Sequence, residues 1–494
     1  MKYNYKLIAL FFVFLFGIQS CTDNNDTLDI PAELQIHNFI WKGLNQYYLW
    51  QADVPDLADD RFDSQTQLND FLYTKGTPEN LFQQLLFKPA SLYTVPGEAV
   101  DRFSVLVNDY TYLENLFQGI TTNNGVSYGL KYKTGSTTDI FGWVRYIIPN
   151  SDAATKNIHR GDIFYAINGT PLTVSNYKSL LQNTNYTMNF ADYNNGLITP
   201  NGISIDLTKT QLTENPILYS QIITLGSHKV AYLVYNGFTA NFDNQLNTVF
   251  GQFLAGGATH LILDLRYNSG GSVRTATRLA SMITGQFNGQ LFAKQQWNNK
   301  LQSYYEAHSP NALVNNFTNT IDNGVSINSL NLSKVYVLTS KSTASASELV
   351  INGLKPYINV IQIGDVTIGK NVGSITLYDS MDFSASNRNP NHKYAMQPLV
   401  IKTINKAGFG DYQNGLAPTI SLIEDIGNLS QLGNINEPLL STALGHITAN
   451  GRMMKENPVK TFENFMDSKA MEPFSSEMYI EVPKGLEQVL KFKK

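Results

Sequence analysis

The chain has 494 residues, 43% of them hydrophobic and only 15% charged, with a formal net charge of -4 and a single cysteine. That length suits two to four domains of roughly 100–200 residues each. A lone thiol excludes an intramolecular disulfide and a thiolate metal cage, and without a basic stripe nothing is available to neutralise nucleic-acid phosphates.

The first elements concern targeting. Lys2 and Lys6 flank a short basic start, followed by an apolar run over residues 7–18. This run is too short to span a bilayer and suits the apolar core of a signal peptide. It ends in Ile18-Gln19-Ser20-Cys21, which resembles the bacterial lipobox, where cleavage leaves an acylated cysteine as the first residue. Residues 1–20 are therefore expected to be a lipoprotein signal peptide, Cys21 the lipidation site and residues 21–29 a polar tether. Each buried acyl methylene contributes about 0.8 kcal/mol, so multiple acylation makes a stable anchor. The expected location is the bacterial cell envelope, lipid-anchored at the outer membrane on its periplasmic or outer face.

Residues 30–118 read as an N-terminal helical bundle. Ile36, Ile40, Leu44 and Tyr47 recur at three- and four-residue intervals and so share one helix face. Trp41, Tyr48 and Trp50 widen the stripe, while Pro55 in the acidic stretch 53–60 marks a loop. Residues 119–213 read as a β-rich domain. Residues 142–148 suit a strand, and Gly161-Asp162-Ile163-Phe164-Tyr165-Ala166-Ile167-Asn168-Gly169 is a strand running into an Asn-Gly turn. This string resembles the PDZ pattern. There, the loop equivalent to Tyr128-Gly129-Leu130 holds a peptide's C-terminal carboxylate on backbone N–H groups while the peptide adds a strand.

Residues 214–450 alternate short β-branched runs (230–235, 261–265, 335–339 and 360–363) with helical stretches. That alternation predicts an α/β layer structure with partly parallel strands. Residues 451–494 form a C-terminal tail of mixed character.

Three strings in this last domain could carry chemistry. Ser345-Ala346-Ser347-Glu348 fits a capping box at a helix start. A serine there can also be a nucleophile, because the open N–H groups of the first turn can hold an oxyanion. It needs a base, and the seven histidines are scattered without a shared motif. A lysine can serve when burial makes it neutral, and Lys370 stands in a Gly-Lys pair 25 residues on, just after a strand. In a parallel layer that loop falls at the same sheet edge as Ser345. Finally, Asp264-Leu265-Arg266 leads through Asn268 to Gly270-Gly271, a turn whose exposed N–H groups can supply a second oxyanion donor.

Together these strings resemble the C-terminal processing (tail-specific) serine peptidases, relatives of the tricorn core. The resemblance implies a multidomain α/β protein with a helical N-terminal domain, a PDZ-like domain and a ClpP/crotonase-like catalytic core. It implies Ser345 as nucleophile, Lys370 as general base, and Ala346 with Gly270 or Gly271 as the oxyanion hole. It implies no cofactor and no metal. The expected partners are protein or peptide substrates with free C-termini, with no nucleic acid, and the membrane is met through the lipid anchor alone. Ser374 stands where many members place a glutamine that orients the lysine. The alternative is a catalytically inactive peptide- or ligand-binding protein on the same fold, in which Ser345 is buried or Lys370 is paired with a carboxylate.

Overall fold

A computed structural model describes residues 30–95, 97–448, 462–472 and 478–480. The signal run and Cys21 lie outside the described residues.

Helix α1 (Gln35–Tyr47) opens the fold, and α2 (Gln65–Tyr73) and α3 (Pro78–Gln84) follow. Thr77 caps α3 by accepting the Asn80 N–H, and Pro78 at its first position has no N–H to leave unpaired. Ile40, Leu44 and Tyr47 are fully buried, but not in a bundle of their own. They join one continuous apolar core with Ile375, Leu377 and Met396 of the α/β domain. The predicted helical bundle is thus a layer laid on the α/β domain. Its aromatic stripe is wide because it meets both the neighbouring helices, through Leu72, Leu81 and Phe82, and the α/β domain.

The β-rich domain is an antiparallel sheet of β1 (Val126–Tyr132), β2 (Ile140–Ile147), β3 (Ile163–Ile167), β4 (Asn185–Asn194) and β5 (Leu197–Thr208), in that order. Asn168 and Gly169 have φ of 51° and 74°, the two positive values that a tight hairpin turn requires, and they link β3 to a short strand, Thr170–Pro171. Tyr128, Gly129 and Leu130 lie inside β1 rather than in a loop. The reason is packing: Tyr128 and Leu130 are buried in the domain's core, while Gly129 lies opposite Trp143 of β2.

In the third domain, β6 (Ile217–Leu225) is an antiparallel edge beside β7 (His228–Tyr235). Next come β8 (His260–Asp264), β12 (Lys334–Thr339), β13 (Asn359–Gly364) and β16 (Ile420–Ser421), all parallel. Alternate residues of these strands serve two cores. Ala231, Leu233, Leu263 and Val337 face α4 (Asp243–Ala255), α5 (Val273–Thr284) and α6 (Ala346–Leu354). Val230, Tyr232, Ile262 and Leu338 face α7 (Pro438–Thr448). Burial on both faces is why these strands read as unbroken apolar runs.

A second sheet packs against α6. Its order is β9 (Gly271–Ser272), β18 (Met478–Tyr479), β14 (Val372–Ser374), β15 (Leu399–Asn405), β10 (Leu291–Trp297) and β11 (Val314–Asn316). The late region, featureless in sequence, therefore contributes strands to two sheets, because β17 (Asn464–Asp467) also adds antiparallel to β1. Among the described residues no helix is long and apolar enough to cross a membrane.

Candidate active site

The loops after β8, β12 and β13 leave the carboxyl edge of the parallel sheet side by side, where ligand sites of α/β folds form. They are tied to one another. Ala344 donates its N–H to the Asn268 carbonyl at 3.1 Å, and Ile368 donates to the Thr343 carbonyl at 3.0 Å. The Thr343 hydroxyl donates to the Leu265 carbonyl at 2.9 Å. The three strings singled out in the sequence thus converge on one site.

Ser345 has φ 62° and ψ -117°. A positive φ is uncommon for a residue with a Cβ, and such strain persists only where surrounding bonds impose it. Here the restraint is Glu348, which is fully buried. Its Oε2 accepts the Ser345 N–H and the Lys370 N–H, each at 2.8 Å. The two backbone nitrogens are therefore no more than twice that distance apart. Its Oε1 accepts the Gly369 N–H at 2.7 Å and the Thr367 hydroxyl at 2.5 Å. Burial pushes the Glu348 carboxyl above its ordinary range, and these four donors pull it part of the way back.

The capping box read from the sequence is present: the Glu348 side chain reaches back to the Ser345 N–H, and the Ser345 side chain faces the Glu348 N–H. The Ser345 Oγ meets no other hydrogen-bond partner. Ala346 is the first residue of α6, where helix geometry leaves an N–H without an intrahelical acceptor.

Lys370 is also fully buried, and its Nζ lies 4.6 Å from the centre of the Phe103 ring. Gly369 before it has φ 87°, and a Cβ there would stand 2.2 Å from the Gln413 carbonyl oxygen, so the turn that aims Lys370 requires glycine. The hydroxyl of Ser374 donates to the Met478 carbonyl at 3.3 Å. In the glycine turn, the Gly270 N–H donates to Asn268 Oδ1 at 2.9 Å, whereas Gly271 lies opposite Met478 in the β9–β18 ladder.

Beneath the turn sits a charged cluster. Arg266, fully buried, bonds Asp264 at 2.8 Å, Glu437 at 2.6 Å and Glu424 at 3.0 Å. Arg160 reaches Glu424 at 2.7 Å from the β-rich domain. Burial alone would raise the Glu424 carboxyl, but the two arginines outweigh it and hold the group at about 2. Asp264 and Arg266 of the predicted oxyanion string are thus scaffold for the turn. Among the described residues no cluster of three His, Cys, Asp or Glu could hold a metal.

This constellation can be compared with known proteins. Residues 229–386 match the model for peptidase family S41, and residues 35–105 match the S41 peptidase N-terminal domain. The chain carries a peptidase family S41 domain and an S41 N-terminal domain. A chloroplastic C-terminal processing peptidase of Tetradesmus obliquus is 23% identical over 258 residues, covering 50% of this chain and 51% of that one. A carboxyl-terminal-processing protease of Picosynechococcus is 25% identical over 167 residues, 34% of this chain and 35% of that one. The chain thus spans about half the length, or less, of the curated relatives it matches. Among solved structures, a Bacteroides fragilis S41 protease superposes with a TM-score of 0.63 at 25% identity, over 84% of this chain and 98% of that one. The mixed α/β multidomain fold with a helical N-terminal region is that of the S41 proteases.

The sequence did not single out Thr367, Phe103 or Asp467, and it gave Glu348 a capping role alone. The Ser342 hydroxyl donates to Asp467 Oδ2 at 2.6 Å, and Arg145 pairs with the same carboxylate at 3.1 Å. Locally Asp467 accepts only the Ala470 N–H, an ordinary turn contact, and both of its side-chain partners are more than a hundred residues away.

Proposed function

We propose that this S41 chain is a serine endopeptidase acting through a Ser345–Lys370 dyad and an acyl-enzyme. The observation that carries the reading is the single Glu348 carboxylate. It fixes the backbones of Ser345 and Lys370 together and holds the serine in a strained turn, its hydroxyl bonded to no other side chain. In the mechanism, neutral Lys370 Nζ takes the Ser345 Oγ proton as Oγ attacks the peptide carbonyl. The Ala346 N–H and one glycine N–H, Gly271 being favoured because that of Gly270 is taken by Asn268, steady the oxyanion. Lys370 then gives its proton to the leaving amine, and water releases the acyl group.

The finer features belong to the same proposal. The β-rich domain is read as PDZ-like, holding a substrate's free C-terminus so that cleavage falls near unstructured tails. Tyr128, Gly129 and Leu130 would then offer a strand edge rather than a loop. Cys21 is read as the lipid attachment site that keeps the enzyme at the cell envelope.

A binding protein on this fold has one observation in its favour, since Ser345 is fully buried. The strained φ argues the other way, because a peptide-binding scaffold gains nothing from it. The test is proteolysis of an unfolded protein, and of peptides with free or amidated C-termini. Wild type, Ser345→Ala and Lys370→Ala are compared. Loss of cleavage in both variants, with slowing by amidation, is expected. Unchanged cleavage in the variants would remove the dyad, and inertness of a serine probe toward wild type would favour the binding protein.

A further inference from the structure

The late segment of the chain runs through both places where the proposed function needs a substrate. Strand β17 pairs antiparallel with β1 along Lys131, Leu130 and Gly129. The pairing continues as Ser468 donates its N–H to the Tyr128 carbonyl at 2.9 Å. Strand β18 then lies between β9, which begins at Gly271, and β14, which starts two residues after Lys370.

Neighbouring strands stand about 4.8 Å apart, so β9 and β14 flank a slot two spacings wide, the room one extended chain requires. The Ile480 N–H donates to the Ser374 carbonyl at 3.1 Å, and Met478 and Ile480 are buried in the main core. Both stretches line one cavity of about 230 Å³, whose lining includes Tyr128, Ser468, Gly270, Gly271 and Tyr479. Asp467 meanwhile binds Ser342, three residues before the nucleophile, and Arg145 of the β-rich domain.

We propose that residues 464–472 and 478–480 are the enzyme's own resident ligand, seated along the polypeptide path and displaced when substrate enters. The inference rests on the peptidase reading for its meaning but not for its test. It is in keeping with a nucleophile that is strained yet buried, because the slot between the strand at Gly271 and the strand after Lys370 is filled by the same chain. It also states what a displacing substrate must bring: an extended strand able to pair with β1, and apolar side chains two residues apart to replace Met478 and Ile480.

The test uses the full chain in a Ser345→Ala background, so that occupancy is read without chemistry. Ile480→Pro removes the hydrogen bond to Ser374 and loosens the segment. Lys131→Cys with Asn464→Cys places thiols on cross-strand partners, at a separation a disulfide can bridge, and oxidation locks the segment down. The probe is a fluorescent peptide with the sequence of residues 462–482. If the segment is seated about nine-tenths of the time, the probe binds the proline variant about tenfold more tightly than the parent. It is excluded from the oxidised pair and readmitted on reduction. Reduction also shows that the pair is folded. Equal binding to all of these forms would overturn the proposal whatever cleavage does. Displacement as expected in these forms, together with a wild-type chain that cuts nothing, would instead overturn the dyad and leave the resident ligand standing.

Discussion

Replacing Glu348 with glutamine probes the link between the nucleophile turn and the lysine loop without changing the shape of the side chain. The carboxylate has four donors, two on each oxygen. An amide keeps one oxygen and puts an NH2 group where the other stood. Facing Oε2 it releases the Ser345 and Lys370 N–H groups; facing Oε1 it releases the Gly369 N–H, while the Thr367 hydroxyl can turn to accept. Hydrogen bonds to charged groups contribute about 1.5–3 kcal/mol each, so losing one or two costs roughly 1.5–6 kcal/mol. The expected outcome is a lower melting temperature with kcat reduced by roughly tenfold or more, since about 1.4 kcal/mol of barrier is a factor of ten. Labelling of Ser345 by a serine-directed probe should slow in parallel. A Glu348→Gln variant that melts and reacts as wild type does would refute the reasoning, because it would show that neither loop depends on the carboxylate.

Three further outcomes follow from the surroundings of the site. Gly271→Ala would place a Cβ 2.4 Å from the Phe238 carbonyl oxygen at a φ of 134°, so cleavage should fall at least tenfold; full activity would show that the glycine turn is not part of the site. Arg266→Met leaves Asp264 and Glu437 buried without their partner, which costs about 3–5 kcal/mol, read as an early transition in urea unfolding. Glu424 titrates at about 2 in the folded chain against an ordinary 4.5. A depressed carboxyl stabilises the fold fully above 4.5 and progressively less as pH falls toward 2, by roughly 3 kcal/mol in all. Stability measured across that window should drop in wild type and drop less in Glu424→Gln; identical pH profiles would contradict the ion-pair assignment.

How much of this was legible in the sequence depended on the range of the forces involved. The parallel strands were readable because burial on both faces demands unbroken apolar runs, and the 230–235 and 335–339 runs carry that signature locally. The Asn168-Gly169 turn was readable because positive φ at two successive residues restricts composition. The meeting of Ser345, Lys370 and Gly271 followed from parallel topology, which brings every strand's carboxyl end to one edge. What was not legible are interactions closed over long sequence separations. A glutamate three residues after a serine looks the same whether it caps a helix or grips a loop more than twenty residues away. The late strands were invisible for a related reason. Met478 and Tyr479 have no alternation of their own to display, and become a strand only because β9 and β14 leave room for one between them. A segment whose conformation comes from its docking site has no local signature. That property is also what a peptidase needs in a substrate, because an unfolded tail carries no strand pattern until the slot supplies it.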